Sequence, residues 1–246
     1  MAKNNNYETT VELPSRGLLY GNIPKDITLR MITTADEKYL FGSNNNVFSK
    51  VLKNCIVSPK DINLDDLLPF DELFLIFKLR AHTYGPEYRV TGTCPYCGEK
   101  HVYTVNLDDA TCYYLDEGFE EPLEFTLPES EKKVSIRLLR KRDYESVRRQ
   151  AKKISKATGA NAKELEYVLR MAKYIRKIDD EDVDEGQAQA FVEKLTGRDS
   201  AYFWWKLDET VKCGIDTTTE VICPNCNEEF DFSYGISSEF FRPKFG

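Results

Sequence analysis

Apolar positions recur along this chain with two different periods, and the changes of period mark its elements. Residues 70–82 are the most apolar stretch, with Leu73, Phe74, Leu75, Ile76, Phe77 and Leu79, which predicts a central buried helix. Leu165, Val168, Leu169, Ala172 and Ile175 recur at helical spacing and predict a helix over 162–177. Further helices are expected over 34–41, capped by Thr33 or Thr34, and over 47–55, 143–156, 185–195 and 199–212. In the last, Phe203, Trp204 and Leu207 face inward. Period two takes over at 123–127 and 134–138, two strands joined by a turn at Pro128-Glu129-Ser130. Residues 7–30 read as extended chain, broken at Pro14-Ser15-Arg16-Gly17 and at Tyr20-Gly21-Asn22. Phe230, Phe232 and Tyr234 alternate with Asp231 and Ser233, so that strand buries one face and wets the other.

Two strand-turn-strand units carry candidate chemistry. Residues 87–93 and 101–107 flank Cys94-Pro95-Tyr96-Cys97-Gly98, and residues 217–222 and 228–234 flank Cys223-Pro224-Asn225-Cys226-Asn227. A C-P-x-C turn at a hairpin tip offers two thiolates on one side, and two such knuckles face to face complete a tetrahedral four-thiolate zinc site. Cys94, Cys97, Cys223 and Cys226 are the expected ligands of a structural Zn2+, because four protein ligands leave no position for water. The alternatives are four reduced thiols in tight turns, a disulfide, or His101 in place of one cysteine. The chain has 7 Cys, an odd number, and no leader is expected at its start, where Met1 to Asn6 read as a frayed end. A reducing compartment is therefore expected, with Cys55, Cys112 and Cys213 as small apolar residues. Because about 125 residues separate the knuckles, the metal would clasp a domain rather than a local ribbon.

The expected architecture is α+β: a zinc-ribbon-type pair of β-hairpins clasping a domain with an inserted helical block. Its parts are an extended arm (1–33), an α+β core with the first knuckle (34–139), a helical insertion (140–213) and the second knuckle with its tail (214–246), all one cooperative unit. Aromatic residues make up 12% of the 246 residues, enough for a substantial core, and no run is long and apolar enough to span a membrane.

Net charge is −7, but Lys132 to Lys177 holds 16 Lys/Arg against 4 Asp/Glu, about +12, which leaves about −19 elsewhere. Within it, Arg148, Arg149, Lys152 and Lys153 sit on one predicted helix. A solvated helix face, a docking surface for an acidic protein and a nucleic-acid surface are the three readings. The last is weakened because no aromatics interleave the cations. The acidic run Asp179 to Glu185 resembles a calcium loop only in its alternation: Glu185 stands where a glycine is required and Phe191 where the closing glutamate belongs. It reads as a polar turn that caps the next helix. The two His stand in no catalytic constellation and no phosphate-binding loop appears, so neither an enzyme nor a small-molecule substrate is expected.

Val11-Glu12-Leu13-Pro14-Ser15-Arg16-Gly17-Leu18-Leu19-Tyr20 resembles the opening signature of the T-even bacteriophage baseplate protein family, the hub assembly proteins of contractile tails. The likeness continues through residues 27–38, Leu79 to Tyr88, both knuckles, Ile215-Asp216-Thr217 and Phe240-Phe241-Arg242-Pro243, and so spans nearly the whole chain. It departs at Asn227, where many knuckles carry Gly, which puts that turn's geometry in question. The resemblance implies a non-enzymatic protein that helps build a myovirus tail baseplate hub in the host cytoplasm, as a virion component or as an assembly factor. Its partners would be other hub or wedge proteins. The runner-up is a zinc-ribbon module that binds nucleic acid or transcription machinery. Leu13, Leu18, Leu19 and Tyr20 on the arm, with Phe240 and Phe241 at the tail, either cover the domain's own core or anchor a hub partner.

Overall fold

The structure, a computed structural model, describes residues 7–41, 47–236 and 240–242. The expected frayed start and residues 243–246 of the tail lie outside the described residues. Strand β1 (Glu8–Glu12) pairs antiparallel with β2 (Asp26–Arg30), where Ile27 and Leu29 alternate inward between polar neighbours. Helix α1 (Thr34–Glu37) starts at Thr33, whose N–H and hydroxyl both donate to the Asp36 carboxylate, at 2.9 and 2.7 Å. A 3-10 turn, Lys38–Phe41, extends it. Helix α2 (Val47–Cys55) has its predicted bounds, and β3 (Ile56–Ser58) adds to the other edge of β2.

Helix α3 (Pro69–Tyr84) is the central helix expected at 70–82, with Pro69 in the first turn where its missing N–H costs nothing. It is buried on most sides because it stands between two cores. One core joins Leu13, Ile27, Leu29, Leu52, Phe74 and Phe77 to Tyr234, Phe240 and Phe241. The other joins Leu68 at the start of α3 to Val134, Ile136, Met171, Tyr174, Phe203 and Leu207.

After α3 come β4 (Glu87–Thr93), β5 (Lys100–Asn106), β6 (Cys112–Tyr113), β7 (Leu123–Thr126) and β8 (Lys133–Ile136). Then follow α4 (Lys141–Thr158), closed by Gly159 in the left-handed region at φ 77°, and α5 (Ala162–Tyr174). The helix expected to reach residue 177 ends at Tyr174. Ile175–Ile178 is instead a strand, β9, paired with β8. Its two isoleucines bracket Arg176 and Lys177, and Asp179 and Asp180 take φ of 50° and 66°, turning the chain into β10 (Glu181–Asp182). Asp184 then caps α6 (Glu185–Val192) by accepting from the Gln187 N–H at 2.8 Å, so the acidic run does end as a helix cap. Helix α7 (Gly197–Thr210), β11 (Gly214–Ile215), β12 (Thr218–Ile222) and β13 (Glu229–Ser233) complete the order.

The result is α+β, helices around several small antiparallel sheets. The strand order β10-β9-β8-β7 and the shared second core carry the chain across residue 139, so the boundary expected at 139/140 falls inside one packed unit. The helical block is tied to the β7–β8 hairpin through β9, whose backbone pairs with β8.

Candidate metal centre

The two knuckle hairpins form separate two-stranded ladders, β4 with β5 and β12 with β13, that meet through side chains. Gly92 on β4 is a required gap: a Cβ there would lie 2.4 Å from the Phe232 ring. Tyr103 on β5 completes the contact, its ring 5.3 Å from Phe232 and 6.1 Å from Phe230. Below, Tyr88 and Tyr234 carry the two hairpins into the first core.

The turns repeat one another. The N–H groups of Cys94 and Cys223 donate to Glu99 and Glu228 O, each at 2.9 Å. Those of Gly98 and Asn227 donate back to Cys94 and Cys223 O, at 3.0 and 2.9 Å. Gly98 has φ 76° and Asn227 φ 59°. Asparagine tolerates the left-handed region better than other side chains, so Asn227 keeps the turn that its place in the sequence puts in question.

Face to face, the turns bring the four Sγ atoms of Cys94, Cys97, Cys223 and Cys226 within 4.8 Å of one another. Cys94 Sγ lies 3.7 Å from Cys226 Sγ, and Cys97 Sγ 3.7 Å from Cys223 Sγ. Sulfurs about 2.3 Å from a tetrahedral ion sit about 3.8 Å apart, so the spacing fits a zinc-sized ion. An all-sulfur donor set is soft and leaves no position open for chemistry. Burial pushes the Cys223 thiol up, but the N–H groups of Cys226 and Asn225 outweigh it and hold it at about 6. The Cys226 thiol, although the Glu228 N–H lowers it, is driven up to about 12 by burial and by the neighbouring sulfurs. Four thiols this close do not all ionise without a cation among them. His101 stays outside the four-sulfur cluster, its ring 6.3 Å from Tyr103 and its Nε2 buried without a partner among the described residues. Burial raises the Cys55 and Cys213 thiols to about 12 and also raises Cys112, as inert thiols require.

The arm and tail candidates separate on burial. Leu13, Phe240 and Phe241 are buried in the first core, Leu19 and Tyr20 are half-buried, and Leu18 is exposed. Docking through Leu13, Phe240 or Phe241 is therefore corrected: they fill the protein's own core and offer a partner no surface. Tyr20 is pinned as well, its hydroxyl donating to Asp71 Oδ2 at 2.5 Å and accepting from the Leu68 N–H at 2.7 Å. The Ser15 N–H donates to the other Asp71 oxygen at 3.0 Å. Burial pushes the Asp71 carboxyl up, against the pull of these donors. Gly17, at φ 71°, has no room for a Cβ, which would lie 2.9 Å from Lys25 N. The arm signature is thus a staple across both cores. The tail is held the same way: buried Arg80 donates to the carbonyls of Phe240 at 2.8 Å, Glu87 at 2.7 Å and Gly85. The sequence showed Arg80 only as a charge on an apolar helix.

The basic stretch divides in two. Lys132, Lys133, Lys173 and Lys177 pair with Asp179, Asp180, Glu185 and Asp182, so the acidic run is their counter-charge. Arg137, Arg140, Lys141 and Arg142 pair with Asp143, Glu121, Glu72 and Asp66. Arg148, Arg149, Lys152 and Lys153 are exposed on α4 with no ion pair among the described residues.

No helix among the described residues is long and apolar enough to cross a membrane. No curated protein and no solved structure matches the chain. The family model described as "T4 bacteriophage base plate protein" matches residues 4–242. That match takes in the arm staple, both knuckles and the Arg80-held tail, and the chain belongs to the T4 bacteriophage base plate protein family.

Proposed function

We propose that this chain is a non-enzymatic subunit or assembly factor of the tail baseplate hub of a contractile-tailed phage, stabilised by one structural zinc. The near full-length family match carries the reading. The four-sulfur cluster supports the metal: its spacing suits tetrahedral zinc, and a closed ligand set suits a structural role rather than a catalytic one. The zinc ribbon would be held by Cys94, Cys97, Cys223 and Cys226, and the chain would work in the host cytoplasm during assembly, with the virion baseplate as its destination if it is retained. Its partners would be other hub or wedge proteins. Arg148, Arg149, Lys152 and Lys153 on α4, which make no ion pair among the described residues, would meet an acidic surface of one of them, with Leu18 as an exposed apolar contact at the arm.

Co-purification of tagged protein from infected cells, with and without mature particles, tests this reading. Baseplate proteins should come down with it, and its presence in or absence from particles separates subunit from assembly factor. Recovery without any tail protein would refute it. Tight binding to random DNA that weakens steeply as salt rises would favour the nucleic-acid module instead.

A further inference from the structure

Each knuckle hairpin turns one face to the clasp and leaves the other in water. The inner faces meet through Gly92, Tyr103, Phe230 and Phe232. The outer faces therefore point away from each other, one on either side of the clasp, and the residues on them are exposed. Each carries one large β-branched apolar side chain: Val102, 56% exposed, on the first hairpin and Ile222, 61% exposed, on the second. The charges around these two are opposite in sign. Near Val102 stand Arg89 and Lys100, and near Ile222 stand Glu220, Glu229 and Asp231. None of the five makes an ion pair among the described residues.

On the second face Glu220 lies directly across from Asp231, and like charges so placed destabilise a hairpin left alone. A cation brought to this face relieves that repulsion, and the first face carries one at the matching place. Successive outward residues of a strand stand about 7 Å apart and line up across the hairpin in rows. One row from Val102 toward the base of its hairpin stands Arg89, across from Thr104. One row from Ile222 in the same direction stands the Glu220–Asp231 pair. With the two faces laid together and both knuckle tips on one side, Val102 meets Ile222. Arg89 then falls on the acidic row, where it meets a carboxylate whichever strand it lies over. Lys100, one row nearer the tip than Val102, reaches Glu229 beside Ile222. Glu87, at the base end of the first face, falls on uncharged Thr218 and Ser233.

We propose that the outer face of the first hairpin docks on the outer face of the second hairpin of another copy of this chain, Val102 against Ile222 and Arg89 on Glu220 and Asp231. The two faces differ and lie on opposite sides of the clasp, so each contact leaves one face of either kind unfilled. Association therefore runs head to tail, as an open row or a closed ring. A face two strands wide is far smaller than the ~800 Å2 per partner of a stable interface. The contact is weak between free copies and strengthens when an assembly holds several side by side.

Sedimentation equilibrium of the purified full-length protein, at low salt and rising protein concentration, tests this. The average mass should climb above that of one chain with concentration and fall back as salt is added. Arg89→Glu should hold the protein monomeric, and so should Glu220→Lys combined with Asp231→Lys. Mixed in equal amounts, these two variants should associate again, because the reversed first face of one fits the reversed second face of the other. The substituted residues are exposed, so melting curves should stay close to wild type. If a reversal disturbs folding, Val102→Ser carries the test: it removes the apolar centre, keeps every charge and should weaken association severalfold. Wild-type protein that stays monomeric up to about 1 mM overturns the proposal. So does association that survives both reversals, or reversed variants that do not rescue each other. Self-association lost only when the four α4 cations are reversed overturns it as well and assigns the contact to that helix.

Discussion

The paired knuckle hairpins and the α4–α5 helix pair are each two antiparallel units, yet they are held together in opposite ways. The hairpins meet through residues more than a hundred positions apart: Cys94 with Cys226, Cys97 with Cys223, Tyr88 with Tyr234. The helix pair closes locally, around Val147, Ala151 and Leu169 with Ile154 and Leu165, and turns at Gly159. Contacts across such long loops cost more closure entropy, so each must be strong, and sulfur clusters, stacked aromatics and a buried arginine are the means used. A local helix pair needs only a narrow apolar seam, which leaves its outer face free to carry unpaired charge. On the proposed reading, the first region would serve stability and the second recognition.

That division makes ordered predictions. The largest effect should follow Cys223→Ser, which removes one ligand from a site linking the middle of the chain to its end. Native mass spectrometry should find the metal gone, and calorimetry a loss of several kcal/mol, on the order of 10 °C in melting temperature. An unaltered melt in metal-free protein would mean that the clasp contributes nothing.

Next comes the arm and tail. Phe240→Ala empties a fully buried ring site beside Phe77 and Tyr88, and should cost roughly 3–5 kcal/mol in denaturant titration. Deletion of residues 1–20 should collapse the cooperative transition, because it removes Leu13 and both donors to Asp71. A truncated protein that melts normally would return the arm to the surface and blur the contrast drawn here.

A smaller effect should appear with pH. The hydrogen bonds from Arg30, chiefly, hold the Asp36 carboxyl down at about 2. A carboxyl lowered by folding contributes stability above its ordinary value near 4, and that contribution fades as pH falls toward 2. Asp36→Asn should therefore cost on the order of 2 kcal/mol at pH 7 and progressively less in acid, read from unfolding curves at stepped pH. Parallel curves for the two proteins at every pH would contradict it.

The smallest effect on folding belongs to α4. Changing Arg148, Arg149, Lys152 and Lys153 together to Glu should leave metal content intact and alter stability by under about 0.5 kcal/mol per site. It should slow association with the co-purified partner at low salt and have progressively less effect as salt rises. Stopped-flow rates indifferent to the reversal would leave that face merely solvated.

How much was legible in sequence follows the same division. Helix α2, the central helix, both knuckle hairpins and the four cysteines were all readable, because periodicity and C-P-x-C spacing are local signals. Strand β9 was not. Ile175 continues the helical spacing of α5, and only pairing with Ile136 on a distant strand reveals it as β. The arm stays open in sequence for a related reason: Tyr20 reads equally as core cover or as an anchor until Asp71, some fifty residues on, supplies its acceptor. The charge block showed its size but not its composition. Which cations are neutralised depends on the sheet that brings Asp179, Asp180 and Asp182 back against Lys132, Lys133 and Lys177.

Arg80 sets an order of events for a chain made from one end. Its three carbonyl acceptors come from Gly85, Glu87 and Phe240, and the last lies 160 residues further along the chain. The second pair of sulfurs and the Phe232 ring arrive nearly as late. On the ribosome, then, the first two hundred residues wait with a half-built thiol cluster, an aromatic seat empty above Gly92 and a guanidinium one acceptor short. Closure is deferred until residues 223–240 have been made, so a nascent chain cut short before Cys223 lacks both the second pair of sulfurs and the last acceptor of Arg80.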